Sequence, residues 1–474
     1  MTIHLGMLIW LVGGSFFLLC ALYYIFELMP AYFRHRRSYL NPNVPSDEEI
    51  LSLLRMKNQK FPRIKFQITT RGKEVEVVQR SIDSIVLLAD VSPLFEQYIE
   101  LLIVTEESLE RDIFSDYFKS KGITFPAEVI CVPKEYQTRN ETMFKARSLH
   151  YSLEYRKANG NDSKHNSPSY IYYFDSESTI TETDFRRVIH SLISSPEKRI
   201  FEGAIIYPHK YFDANIISRQ MESVRPFNCH HCAEVMKKPP PLHLHGSNLL
   251  VEEKLVDSIG WDFGKVYNQP LLAEDIVFGL KVYAKYGSQP FGWHGGRIYE
   301  QPPLSVRASF HARLRWVTGT WQALSFMKIQ PEYQNLPWRT RTWIQFRMRI
   351  RLLAHSLSFL TVFFLLFSLL LFLFPSIFAV FDTDLASPEF RTLQYVVSRF
   401  FLLPATFFWL FTILNGASKN IEPLNLSRKH QLLEACKMLV VTPIAGVIDS
   451  FCAFYASFRW ILGKPYNSWN VTLK

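Results

Sequence analysis

The sequence predicts an α/β domain with a Rossmann-like mixed sheet, carried between α-helical membrane segments. Three observations predict it. Between residues 61 and 304 short apolar strand runs alternate with segments of helical spacing, the pattern of a sheet covered by helices. Apolar runs long enough to span a hydrocarbon core of roughly 30 Å lie on both sides of that region. Basic residues gather beside those runs, with Arg34, Arg36 and Arg37 after the first and Arg339, Arg341, Arg347, Arg349 and Arg351 before the second, where they mark cytoplasmic ends.

The first run, residues 3–28, lacks a basic leader and a small-residue cleavage site, so it reads as a retained anchor. Residues 65–70 form a strand ending at Arg71-Gly72, followed by a helix over 75–88 with Val78, Ile82, Ile85 and Val86 at helical spacing. Residues 100–105 and 129–133 are further strands, and 170–174 is an aromatic strand ending at Asp175. Residues 159–167, rich in Gly, Asn, Asp and Ser, form an exposed loop. Ligands of such sheets sit at the carboxyl ends of strands, where Arg71, Glu106 and Asp175 all fall. A helix starts at Glu274-Asp275, and residues 309–324 form an amphipathic helix. Runs 352–380 and 396–416 make a membrane hairpin around an acidic loop with Asp382, Asp384 and Glu389. Residues 432–462, interrupted by Pro443 and Asp449, are either one kinked span or a re-entrant pair. The chain thus divides into an anchor (1–33), a juxtamembrane linker (34–60), the α/β domain (61–305), interfacial helices (306–351), a C-terminal transmembrane region (352–463) and a tail (464–474).

The 474 residues carry 53 Lys and Arg against 43 Asp and Glu, a formal charge of +10. Because that excess flanks the apolar runs, it faces membrane lipids and sets topology; no nucleic-acid partner is implied. The six cysteines form no disulfide framework, which fits a reduced cytosolic setting.

Three signatures carry chemistry. Asp175 and Glu177, two positions apart at a strand end, can converge on one hard cation, Mg²⁺ or Mn²⁺, that bridges a diphosphate; they fit solvated turn acids equally well. Glu274-Asp275 satisfies ordinary helix capping, and Asp275 can also accept a proton from an attacking hydroxyl. On the amphipathic helix, Arg315 can hold diphosphate oxygens through its planar fork and Trp316 can wall an acceptor sugar, or the helix is an interfacial anchor. Cys229-His230-His231-Cys232 with His243 and His245 would supply two pairs of zinc ligands, the second alternating along a strand. The favoured assignment makes them core and acceptor-groove residues, with His245-Gly246 just before a strand.

In this order, and followed by membrane helices, the three signatures resemble family 2 glycosyltransferases with a GT-A catalytic domain. Thr70-Arg71-Gly72, the stretch 132–139 beginning Val132-Pro133-Lys134-Glu135-Tyr136, the stretch 144–149 and Ala273-Glu274-Asp275 resemble the Egghead-type β-1,4-mannosyltransferases. The likeness covers roughly residues 64–330. It implies that Arg71 and Glu106 line a nucleotide pocket, that Lys145 and Arg147 approach the donor, that Asp175 and Glu177 bind the metal diphosphate, and that Asp275 is the base beside Glu274. It implies further that Arg315 and Trp316 close the site, with His311, His245 and Gly246 toward the acceptor. Two departures stand out. Ala312 replaces the usual Gln of Q-x-x-R-W, so that Gln's hydrogen bond is either missing or supplied by His311, and Glu177 replaces the wider class's Asp, as Egghead-like sequences also do. The tail resembles the Trp-x-x-Thr-x-Lys ends of relatives that return to the cytosolic face, and also holds an Asn470-Val471-Thr472 sequon.

The expectation is an integral membrane enzyme with its catalytic domain on the cytosolic side. It would move a sugar with inversion from a nucleotide-diphosphate donor, GDP-mannose first, to a glycolipid or other lipid-linked or glycan acceptor. The alternatives are a processive polysaccharide synthase using a UDP-sugar and a non-catalytic membrane scaffold.

Overall fold

The computed structural model describes residues 5–37, 39–40, 42–71, 74–159, 167–373 and 403–466, with scattered positions between 388 and 400. Gly72, the loop 160–166, the acidic turn of the hairpin and the end of the tail with its sequon lie outside the described residues.

The sheet follows from side chains that alternate along extended backbone. β1 (Arg63–Thr70), β2 (Ile99–Thr105), β3 (Ala127–Cys131) and β4 (Ser169–Asp175) are parallel. Tyr172 and Phe174 of β4 pack beside Phe66 of β1, at ring distances of 5.4 and 5.3 Å. Tyr173, pointing the other way, meets Trp261 at 5.5 Å. Each face thereby gains its own apolar core, and a fully buried Phe or Leu contributes about 1.5–3 kcal/mol. β5 (Ile200–Ile206), β6 (Leu249–Glu252) and β9 (Phe291–Tyr299) extend the sheet to the order β3-β2-β1-β4-β6-β5-β9, with β6 antiparallel to both neighbours. A separate hairpin pairs β7 (Lys265–Val266) with β8 (Gln269–Pro270). The sheet is therefore mixed, as expected.

From β1 the chain winds outward to β3 and then crosses back to β4 on the other side of β1. The register sets Thr70 level with Thr105 and Thr69 level with Asp175. Three strands thus deliver their following residues to one reversal point, where open α/β sheets bind ligands.

The helices that bear on this point are α1 (Leu5–Tyr23), α2 (Val75–Val91), α3 (Ser108–Lys121), α4 (Phe144–Ala158), α5 (Glu182–Ser194), α6 (Arg225–Lys237) and α7 (Glu274–Tyr286). They are followed by α8 (Val306–Lys328), α9 (Trp338–Leu373), α10 (Leu403–Ile421) and α11 (Arg428–Ile461). α5 starts where the Thr181 hydroxyl accepts the Asp184 N–H, a side-chain cap. Segments Val12–His35 and Arg428–Ile461 are, among the described residues, long and apolar enough to cross a membrane.

α8 buries Ala312, Arg313, Leu314, Val317 and Thr318 and packs against α7 and α11. The boundary expected at 351/352 falls inside α9, which is continuous. Residues 432–461 lie in one unbroken helix despite Pro443, which excludes the re-entrant pair within these bounds.

The apolar helices also hold one another. Positions 13 and 14 of α1 are glycines, and a Cβ at Gly13 would come within 2.8 Å of the Phe364 ring of α9. This close approach lets Phe17 reach Phe364 at 5.8 Å. The Cys20 thiol donates to the Ala354 carbonyl at 3.3 Å.

Candidate active site

The β1 and β2 ends bring Arg71 and Glu106 together, with the Arg71 guanidinium 3.5 Å from the Glu106 carboxylate. Glu106 also accepts from Arg147 at 3.5 Å and from the Ser148 hydroxyl at 3.1 Å, both on α4. Arg147 donates besides to the carbonyls of Pro133 and Tyr136, so it holds the stretch after β3 in place. Two residues before Arg147 on α4, the Lys145 ammonium is 2.5 Å from Asp175 and donates to the Gly246 carbonyl at 2.9 Å. Burial works against the Lys145 charge, yet Asp175 and Glu274 outweigh it and raise its pKa.

Asp175 and Glu177 are joined by a residue that sequence reasoning missed. One carboxylate oxygen from each of Asp175, Glu177 and Glu300 lies within 4.8 Å of the others. Glu300 directly follows β9, and the Ser178 hydroxyl donates to it at 2.8 Å. Burial, then the charge of Asp175, raises its pKa. An all-oxygen, acid-rich set of this kind fits a hard divalent cation.

Glu274 and Asp275 open α7, whose first position has no side-chain cap. One Asp275 oxygen accepts the Ile276 N–H at 2.8 Å, as ordinary capping requires. The other faces the cavity, 3.2 Å from where a Cβ on Gly246 would sit. Burial raises the pKa of both acids, and for Glu274 the Asp275 charge adds to it.

α8 reaches this pair through a glycine. A Cβ on Gly319 would lie 2.6 Å from the Ala273 side chain, so only glycine allows the helix this close to the start of α7. Gln322 clamps the same junction, accepting the Leu272 N–H and donating to the Pro270 carbonyl, both at 2.9 Å. Arg315 consequently feels the charges of Glu274, Asp175 and Asp275, which oppose the burial that lowers its pKa. Trp316 lines the cavity, with Arg225 over its ring at 4.3 Å and Arg313 at 5.5 Å. Gly319→Val should separate the two helices by about 1 Å and lower kcat by about 10²-fold, since catalytic alignment tolerates little displacement. Steady-state kinetics on a folded variant checks this, and an unchanged kcat would remove the glycine from the argument.

A cavity of ≈ 580 Å³ connects these groups. It is lined by Thr70, Arg71 and Glu106, by His245, Asp275 and Trp316, and by Phe17, Tyr24, Thr361 and Trp409 of the apolar helices. Ala312 also lines it, where a Gln was expected. His311 is not brought into this group; its ring lies 3.2 Å from the Tyr466 hydroxyl. His243 and His245 sit on an irregular segment rather than a strand.

The model of the glycosyl transferase family group 2 matches residues 170–415, just over half of the chain. The chain belongs to that family. This group 2 glycosyltransferase is similar to the beta-1,4-mannosyltransferase egh of Drosophila melanogaster, at 27% identity over 200 residues. The match spans 40% of this chain and 40% of that protein. Among solved structures, it is similar to the mannosyltransferase PcManGT from Pyrobaculum calidifontis in complex with GDP-Man and Mn²⁺, at 11% identity and a TM-score of 0.44. That likeness covers 86% of this chain and 99% of the other. S. aureus TarS 1–349 in complex with UDP is similar at 9% identity and a TM-score of 0.31, covering 86% and 94%. Within the family 2 enzyme, Glu300, Arg225 and Arg313 are among the site-lining charges that motif reading left out.

Proposed function

We propose that this family 2 glycosyltransferase moves a hexosyl residue, mannose from GDP-mannose in the first instance, onto a membrane-associated acceptor such as a glycolipid, with inversion. The observation that carries this reading is the cavity, which joins the strand-end charges to a wall of apolar helix side chains. A nucleotide diphosphate suits the charged lining, and a lipid-linked acceptor suits the apolar wall.

In this reading the acceptor hydroxyl loses its proton to Asp275 as its oxygen bonds the anomeric carbon. The bond from that carbon to the diphosphate breaks on the opposite side, and Lys145 and Arg315 receive the charge that develops there. Mg²⁺ or Mn²⁺, held by Asp175, Glu177 and Glu300, would supply further charge neutralisation for the leaving diphosphate. Arg71, Glu106 and Arg147 order the nucleotide end, and Trp316, His245 and Gly246 shape the acceptor side. The basic residues beside the apolar runs support placing the catalytic domain on the cytosolic side of a membrane.

A panel of nucleotide sugars, each tested for Mn²⁺-dependent hydrolysis and transfer, decides the donor. GDP-mannose should be the best substrate, and turnover of UDP-sugars alone would overturn the choice of donor. Because burial raises the Asp275 pKa, the acid limb of kcat/KM should lie above the ordinary aspartate range. Activity is lost as pH falls through that raised value, since the protonated acid cannot take a second proton. A profile flat down to pH about 4, the usual aspartate range, would count against Asp275 as base.

A further inference from the structure

α6 carries Cys229 and Cys232 one turn apart, and the segment before β6 lays His243 and His245 over them. The two sulfurs and one ring nitrogen of His245 lie within 4.8 Å of one another. His245 Nε2 is 3.6 Å from the Cys232 sulfur, and His243 Nε2 is 3.0 Å from it.

The contacts behind the two rings separate their roles. Arg351 donates to His243 Nδ1 at 2.5 Å. A guanidinium has no acceptor, so His243 carries its proton on Nε2 and aims an N–H at the Cys232 sulfur. The His245 backbone N–H donates to the fully buried Glu202 Oε1 at 2.7 Å, while its Nδ1, 3.0 Å from the same oxygen, makes no hydrogen bond among the described residues. The ring is thus placed through its backbone, with Nε2 toward the Cys232 sulfur. Two thiolates and one imidazole select a thiophilic transition ion rather than Mg²⁺. Cys232 and His245 line the cavity, which gives such an ion an entry path.

We propose that Cys229, Cys232 and His245 bind a divalent ion of the zinc class, with His243 as an N–H donor to the Cys232 sulfur. The ion ties α6 to the segment that carries Gly246, whose carbonyl accepts from Lys145, and Ser247, whose hydroxyl accepts the Asp175 N–H. It is a positioning site, chemically separate from the all-oxygen set at Asp175.

The test is metal analysis of the full-length protein purified without added metal, with mass spectrometry of alkylated cysteines. About one zinc-class ion per chain is expected, bound through thiolate and imidazole. It should be lost in Cys229→Ser, Cys232→Ser and His245→Ala and kept in Asp175→Asn. Co²⁺ loaded into the metal-stripped protein should give a thiolate-to-cobalt absorption band that vanishes in Cys232→Ser, a readout independent of turnover. Protein that holds no such ion overturns the proposal, whether both thiols alkylate or the two cysteines are joined as a disulfide. So does an ion that survives in both cysteine variants or leaves with Asp175→Asn.

Discussion

Asp275→Asn should lower kcat by about 10²–10⁴-fold, the usual contribution of a positioned general base, while nucleotide-sugar affinity stays unchanged. Asparagine keeps the shape and the oxygen that caps Ile276, so the start of α7 stays intact. It removes only the capacity to take a proton at the oxygen facing Gly246. Single-turnover transfer, paired with donor titration, separates chemistry from binding. Full turnover with unchanged donor affinity would falsify the assignment of the base.

The second large effect concerns the fold around the site. Arg313 is buried and pairs with Glu222 at 2.7 Å and with Asp449 of α11, and it donates to the Met221 carbonyl at 3.0 Å. Removing the guanidinium leaves the buried Glu222 without its cation and the half-buried Asp449 with His355 alone, which costs about 3–5 kcal/mol. Arg313→Met should therefore unfold at a markedly lower temperature than the parent in a detergent melt. Replacing Glu222 and Asp449 by Leu in the same chain should restore much of the loss, because the uncompensated charge is then gone. A single variant that melts with the parent would show that the cluster is not bracing α8 against α11.

The strands that could be read in advance were those whose side chains alternate or form one apolar run between turn residues. β1, β2, β3 and β4 have that pattern, and they deliver Arg71, Glu106 and Asp175. β9 hides behind Gly292, Gly295 and Gly296, which weaken any strand signal, and Glu300 at its end was missed for that reason. A carboxylate between an aromatic strand residue and Gln301-Pro302-Pro303 was the available clue. Arg313 was passed over in favour of Arg315 because its partners are 91 and 136 residues away, and local spacing carries no trace of such pairings. Asp449 was read as an interruption of a span; it is the far half of that ion cluster. The amphipathic pattern at 309–324 did indicate a helix, but such a pattern does not say that the helix packs against two others.

The apolar cavity wall that includes Phe17 and Tyr24 also includes Thr361 and Trp409, side chains from the first thirty residues and from the last third of the chain. A growing polypeptide displays the strand-end charges long before it can build that wall. That wall comes into being only when the late helices dock on the earliest one.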